Sequence, residues 1–290
     1  MKKFFKYLIE YFFLFYLVNF FRLFPLKIGL KIAYFLGSII FYLDKTHRLR
    51  TINNLKLAFT EKGDYEILKI CKNVFINLAK NFFEFIKLPD LNEDYFKKNF
   101  IIIGEENLKR ALQKKKGIVA VTSHLGNWEL LGALVVKMGY KLVAVYHPMK
   151  NPFSDRFINR IRRKAGIELV SMKDSLRGGL KALKENKLLG LISDQDAGSN
   201  GIFIKFFGKE ASTFKGPAIF AIKTKAPMIL FNLIREKDDK HTLYISEEFQ
   251  IKDDIYLTTE LWSNEVEKWI RKYPEQWFWV HRRWHTKKKY

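Results

Sequence analysis

The chain has 290 residues, 48 % of them hydrophobic, which is enough for one substantial core and a domain count of one or two. Its formal net charge is +22, from 52 Lys and Arg against 30 Asp and Glu. That balance implies a polyanionic partner (nucleic acid, an anionic membrane surface, or a phosphorylated or acidic carrier) and says nothing about fold. The single cysteine, Cys71, excludes an intramolecular disulfide and a cysteine-based metal cluster.

The first element is the stretch from Phe4 to Phe24. It holds eleven aromatic side chains and has about the length needed to cross a bilayer. No small-residue cleavage site follows, so it does not read as a secretory signal peptide. Lys6 and Glu10 interrupt its start and leave an apolar run from Tyr11 to Phe21. A transmembrane anchor, an interfacial amphipathic helix and a buried core helix all stay open. After Pro25 a second apolar segment, with Lys27 and Lys31 on one face of its start, reads as a helix lying on a membrane or packed on the main body. Lys45, His47, Arg48 and Arg50 follow. Basic residues after a hydrophobic segment favour the cytoplasmic side and contact with anionic headgroups. The hydrophobic arm covers residues 1–43, and residues 44–98 read as helical.

From Asn99 onward the pattern alternates. Phe100–Ile103 and Gly117–Ser123 are of strand length, WELLGALVVKMG is a helix ended by Gly139, and KLVAVY is a strand. PFSDRFINRIRRKAG is a basic helix ended by Gly166, followed by the strand IELVS, the helix DSLRGGLKALKEN and the strand LLGLIS. Further strands are GIFIKFF, APMILFNLI and HTLYISE, with a helix near Pro217–Thr224. This rhythm predicts an α/β fold: a mixed, largely parallel sheet flanked by helices, with an N-terminal hydrophobic helical arm.

The stretch VTSHLGNWEL (Val121–Leu130) holds the candidate chemistry. His124 falls at the C-terminal end of a predicted strand, where open α/β sheets bind ligands. The next helix begins near Asn127 or Trp128 and puts Glu129 in its first turn. Residues five apart do not share a helix face, so the pair belongs to two elements, with a turn folding the imidazole back over the helix start. Glu129 is then expected to hydrogen-bond one ring nitrogen and set the tautomer, with helix-start amides available to an oxyanion. The competing reading is a surface turn capped by Ser123, with Glu129 complementing the helix dipole. Ser123 as a nucleophile lacks an elbow-type glycine pattern.

Three other stretches add to this. Asp194, Gln195 and Asp196 lie just past another strand end, as turn formers or site residues. Arg156, Arg160, Arg162 and Arg163 make either a phosphate-facing surface or a solvated face. Trp277, Trp279 and Trp284, beside His281, Arg282 and Arg283, suit stacking, an interface or plain core.

Together these stretches resemble a known family. His124-x-x-x-x-Glu129 is the acyltransferase signature shared with glycerol-phosphate acyltransferases. RTINNLKLAFTE (Arg50–Glu61), HLGNWEL, HPMKNP, DQD, FFGKEAST and PEQWFWVHRRW, in that order over nearly the whole chain, resemble the late lauroyl/myristoyl acyltransferases of lipid A biosynthesis. His147, Lys205 and Trp284 depart from the arginine, proline and phenylalanine common in that family. The resemblance implies transfer of a fatty acyl group from acyl-carrier protein to a hydroxyl of a 3-hydroxyacyl chain on a Kdo-bearing lipid A precursor. It makes His124 the general base, Glu129 its orienting partner, and residues 44–290 an acyltransferase domain behind a membrane-anchoring arm. By position, the family's supporting arginine and aspartate fall on Arg162 and Asp194, with Arg160, Arg163 and Asp196 as neighbours.

A thioester donor is already activated, so no cofactor or metal is expected and acyl-ACP is a co-substrate. The expected partners are acyl-carrier protein, a phosphorylated lipid A precursor and the anionic inner membrane of a bacterium, with the catalytic domain on the cytoplasmic side. Nucleic acid is not expected. Rival readings are an acyltransferase with another acceptor, such as a phosphoinositol mannoside or lysophospholipid, and a non-catalytic basic module that binds membrane or nucleic acid.

Overall fold

A computed structural model describes residues 2–288, so Met1, Lys289 and Tyr290, at the outer ends of the two expected segments, lie outside it. Five helices precede the sheet: α1 (Lys2–Arg22), α2 (Leu26–Leu43), α3 (Lys45–Ala58), α4 (Asp64–Lys87) and α5 (Glu93–Asn99). Their starts are chemically marked. Asp44 accepts from His47 N at the head of α3, Asn92 accepts from Tyr95 N at the head of α5, and Pro25 stands before α2.

Strands and helices then alternate as β1 (Phe100–Ile103), α6 (Glu105–Leu112), β2 (Ile118–Thr122), α7 (Trp128–Lys137), β3 (Leu142–Tyr146), α8 (Pro152–Lys164), β4 (Glu168–Ser171), α9 (Ser175–Lys184) and β5 (Leu188–Ile192). The remaining elements are β6 (Ile202–Phe206), β7 (Lys209–Thr213), α10 (Gly216–Thr224), β8 (Met228–Arg235), β9 (His241–Ile245) and α11 (Ile255–Lys272). The main sheet runs β1-β9-β8-β2-β5-β3-β4, parallel throughout except for β8 against β9. This is the mixed, largely parallel sheet that the alternation predicts.

Three features depart from the sequence expectation or extend it. GIFIKFF is a strand, but it forms a separate antiparallel hairpin with β7, closed by Phe207 and Gly208 at positive φ. β7 itself, KEAST, carries too little apolar alternation to announce a strand, and α11 also falls outside the predicted elements.

Side chains alternate across β2 and β5, and both faces are covered. Val119, Val121, Leu189 and Leu191 meet Phe220 of α10 and Trp262 of α11. Ile118, Ala120 and Leu188 meet Leu130 and Leu134 of α7 and Ile161 of α8.

The hydrophobic arm lies against this body. α2 packs on α4 through glycines: a methyl group added at Gly37 would stand 2.6 Å from the Ile76 Cα. α1 rests along α8, with Phe4, Tyr11 and Phe15 on Phe153 and Phe157, and its far end packs Phe21 on Phe83. Asn151, at the head of α8, donates to Tyr7 O at 2.9 Å and to Glu10 Oε2 at 3.0 Å. Val18 is buried, but Phe5, Phe12, Phe13, Tyr16 and Phe20 are exposed, so α1 is not a core helix. By length and composition, Lys3–Arg22 and Leu26–Leu43 are each long and apolar enough to cross a membrane.

Candidate active site

The residues between His124 and α7 are held from behind by the core and by α4 and β8. Leu125 is buried in the core. Gly126 sits at φ +64, and a Cβ there would stand 1.7 Å from Leu233 O, so both its conformation and its space require glycine. Asn127, rather than Ser123, caps α7: its Oδ1 accepts from Leu130 N at 3.1 Å. The other end of the same amide donates to buried Glu84 at 2.6 Å. Glu84 is in turn gripped by both terminal nitrogens of Arg235, at 2.7 and 2.6 Å, and Asn81 links Arg235 to Gly126 O. A buried ion pair between α4 and β8 therefore anchors the turn that presents His124.

His124 does not pair with Glu129. Its Nδ1 meets Asp194 Oδ1 at 2.7 Å, and its backbone N–H donates to Asp194 Oδ2 at 2.9 Å. Trp277 Nε1 donates to the same Oδ2 at 2.6 Å. The register explains the meeting. Thr122 of β2 faces Ile192 of the parallel neighbour β5, and His124 and Asp194 each stand two residues past that pair. Burial opposes charge on Asp194, but His124 and Trp277 hold its carboxyl below the usual range. A carboxylate on Nδ1 fixes that nitrogen as the N–H and leaves Nε2 as the basic lone pair. Gln195 Nε2 lies 3.3 Å from it.

Glu129 turns to α8 instead. Arg162 Nε and Nη2 donate to its two oxygens at 2.9 and 2.5 Å, and Nη1 donates to Asn159 at 2.9 Å. The expected imidazole contact is thus replaced by a bidentate ion pair, because α7 starts beside α8 while the strand end faces β5. Burial works against the Arg162 cation, and Glu129 more than offsets it, raising its pKa.

His124 and the Glu129–Arg162 pair line one cleft of about 680 Å³, a size that suits a sizeable ligand, with Asp194 buried behind the imidazole. Asp196, Gln195, His147 and Trp128 line it too. Trp128 and Gly132 continue into an apolar recess of about 70 Å³ walled by Leu131, Val135, Leu188 and Phe231. Of the other predicted residues, Arg160 and Arg163 are exposed on α8 and outside the cleft lining. Asp196 ties down the C-terminal segment, accepting from Thr286 N at 3.0 Å and Oγ1 at 2.8 Å. Ser123 is fully buried with no hydrogen-bond partner for its hydroxyl, and burial pushes the Cys71 thiol up to about 12, so neither has the setting of a nucleophile. Among the described residues, no group of three or more His, Cys, Asp and Glu side chains is placed to hold a metal.

The distant motifs converge here. From α3, Arg50 donates to Val280 O at 3.1 Å, and Asn54 to Trp279 O and His281 O at 2.8 Å each. That holds the segment carrying Trp277 onto Asp194 and Phe278 onto the His124 ring. Arg283 is buried, bonded to Ser212 O and, at 2.5 Å, to Thr213 Oγ1 of β7. The family model for bacterial lipid A biosynthesis acyltransferases matches residues 1–286.

The chain belongs to that family.

Its activity is accordingly acyl transfer to lipid A. It is similar to the lipid A biosynthesis lauroyltransferase of Escherichia coli K12, 28 % identical over 91 % of this chain and 87 % of the relative. The palmitoleoyltransferase of the same organism is 28 % identical over 81 % and 77 %. A phosphatidylinositol mannoside acyltransferase of Mycolicibacterium smegmatis is 23 % identical over 71 % and 69 %.

In this acyltransferase the sequence marks Asp194 only as a support and gives no prominence to Trp128, Phe278, Glu84 or Arg235. Asp194 carried a readable signal, since it stands two residues past a strand end, as His124 does. Glu84 and Arg235 lie inside ordinary apolar patterns and carried none.

Proposed function

We propose that the protein moves a fatty acyl group from acyl-carrier protein to the hydroxyl of a 3-hydroxyacyl chain on a Kdo-bearing lipid A precursor, with His124 as general base. The observation that carries this reading is the His124 Nδ1–Asp194 contact of 2.7 Å, with Nε2 left basic at the cleft. The acceptor hydroxyl replaces the Gln195 amide beside Nε2. As its oxygen bonds to the thioester carbonyl carbon, Nε2 takes its proton. The C–S bond then breaks, and the carrier's thiolate takes that proton back from the imidazolium. Asp194 holds the tautomer and stabilises the imidazolium, as a buried carboxylate does in other His-based acyl transfer.

Arg162 and Glu129 form a fixed wall of the cleft. Their pairing cancels a second negative charge near the developing oxyanion, and two guanidinium N–H groups stay available to an anionic substrate group. The apolar recess behind Trp128 takes the start of the donor's acyl chain. Residues 1–43 act as the membrane arm and residues 44–290 as the catalytic domain, on the cytoplasmic face of the inner membrane. Because α1 lies along the basic helix α8 for most of its length, its exposed aromatic side enters the interface and the helix does not cross the bilayer.

Mass spectrometry of lipid A from cells with and without the protein tests the reaction. One acyl mass is expected to disappear, and to stay absent when a folded His124→Ala protein replaces the wild type. Unchanged lipid A would point to another acceptor, such as a phosphoinositol mannoside.

A further inference from the structure

Phe278, whose ring packs against that of His124, also lines a second groove, of about 520 Å³. Arg50, His281, Arg282 and His285 line it, and Asp196 is its carboxylate. Both oxygens of that carboxylate are already occupied, by Gly198 N and Thr286. Nδ1 of His281 is buried without a hydrogen-bond partner, and the Arg282 and His285 side chains are exposed. The groove touches two other hollows. It shares Asp196 and Gly198 with the catalytic cleft, and His47 and Val280 with an apolar trough of about 490 Å³ between α1, α2 and α4. Leu17, Phe21, Leu36 and Phe82 wall that trough. Beyond it lie the exposed aromatic faces of α1 and α2.

An amphiphile is the ligand that fits a basic groove opening into an apolar trough at a membrane-facing side. We infer that this pair of hollows is the acceptor subsite: Arg50, Arg282 and His285 hold a phosphate of the lipid A precursor, and the trough takes one of its acyl chains. The assignment rests on the acyl-transfer reading above. It gives donor and acceptor separate hollows that meet at Asp196 and Gly198, so that the acceptor hydroxyl reaches His124 from the groove while the thioester occupies the cleft. Charge-assisted bonds from arginine to phosphate supply the orientation, and apolar burial supplies the hold.

The test uses the full-length chain in detergent micelles, carrying His124→Ala so that nothing turns over. It is titrated with a fluorescent lipid A precursor bearing its phosphates, and with the same lipid after phosphatase treatment. The phosphorylated lipid is expected to bind more tightly. Arg282→Gln with His285→Gln, both at exposed positions, is expected to weaken it at least tenfold, through the loss of two phosphate contacts, and to leave the dephosphorylated lipid unaffected. Equal affinity for the two lipids, no loss in the double variant, or full displacement by millimolar inorganic phosphate would each overturn the assignment. With His124 restored, the same two substitutions are expected to raise KM for the lipid while sparing KM for the donor; a rise in the donor's KM instead gives the groove to the carrier and overturns the inference. Absence of transfer by the unmodified protein removes the functional reading, and the binding titration still decides the groove.

Discussion

A hydrogen bond to one ring nitrogen of a histidine decides which nitrogen keeps the lone pair. Here the partner is Asp194, seventy residues away in sequence and fully buried. Asn at position 194 keeps the shape and the acceptor for Trp277 but offers no carboxylate to the imidazolium. Asp194→Asn is therefore expected to lower kcat by about 10³-fold with KM for both substrates little changed, as steady-state acyl transfer would show. An Asp194→Asn enzyme with near-normal kcat would return the orienting role to another group. The signature spacing from His124 to Glu129 marks the correct neighbourhood, yet Glu129 is the partner of Arg162. The spacing records that a strand end and a helix start meet, and leaves open which side chains touch across the gap.

Elements hold the site as firmly as residues do. The turn after β2 is pinned from behind by α4 and β8 through Glu84 and Arg235, both buried and away from the cleft lining. Removing one member leaves the other charged and unpaired in the interior. Arg235→Met is expected to cost about 3–5 kcal/mol in denaturant unfolding, and to lower activity through a displaced His124 turn. A variant as stable as the wild type would show that the network is not needed to anchor the turn. The N-terminal motif acts at the same scale: α3 grips residues 279–281 and so seats Trp277 and Phe278, which ties RTINN to PEQWFWVHRRW across more than 220 residues of chain.

At the scale of the whole molecule, charge and apolar surface point to one environment. Phe12, Phe13 and Tyr16 are exposed on α1, and the chain carries a net charge of +22. Changing these three residues to serine is expected to reduce flotation with anionic phospholipid vesicles severalfold while leaving the thermal transition in place. Unchanged flotation would move the membrane contact elsewhere.

Acid is expected to unfold the protein early. Burial holds His241 and His281 down to about 4, whereas the unfolded chain takes up those protons near 6.5. Between these values the unfolded state binds more protons than the native one, so stability falls as pH drops through that window. Asp194 and Glu84, both held below the usual carboxylate range, extend the loss to lower pH. The melting temperature should therefore decline from pH 7 to pH 4.5, less steeply in His241→Phe; equal slopes for the two proteins would remove His241 as a source.

What depends on near neighbours in the chain was legible in the residues alone: the strand and helix rhythm, the aromatic arm, the basic balance and the position of His124 at a strand end. These follow from periodicity, capping and backbone conformation, which act over a few residues. Which carboxylate meets the imidazole, which of three neighbouring arginines reaches the cleft, which residue caps the helix after the turn, and that Trp277, Trp279 and Trp284 are core with one indole bonded to Asp194, were fixed by packing between distant segments. Those outcomes depend on strand order. β5 follows β3 and β4 in the chain yet lies between β2 and β3 in the sheet, and the parallel register between β2 and β5 sets His124 opposite Asp194.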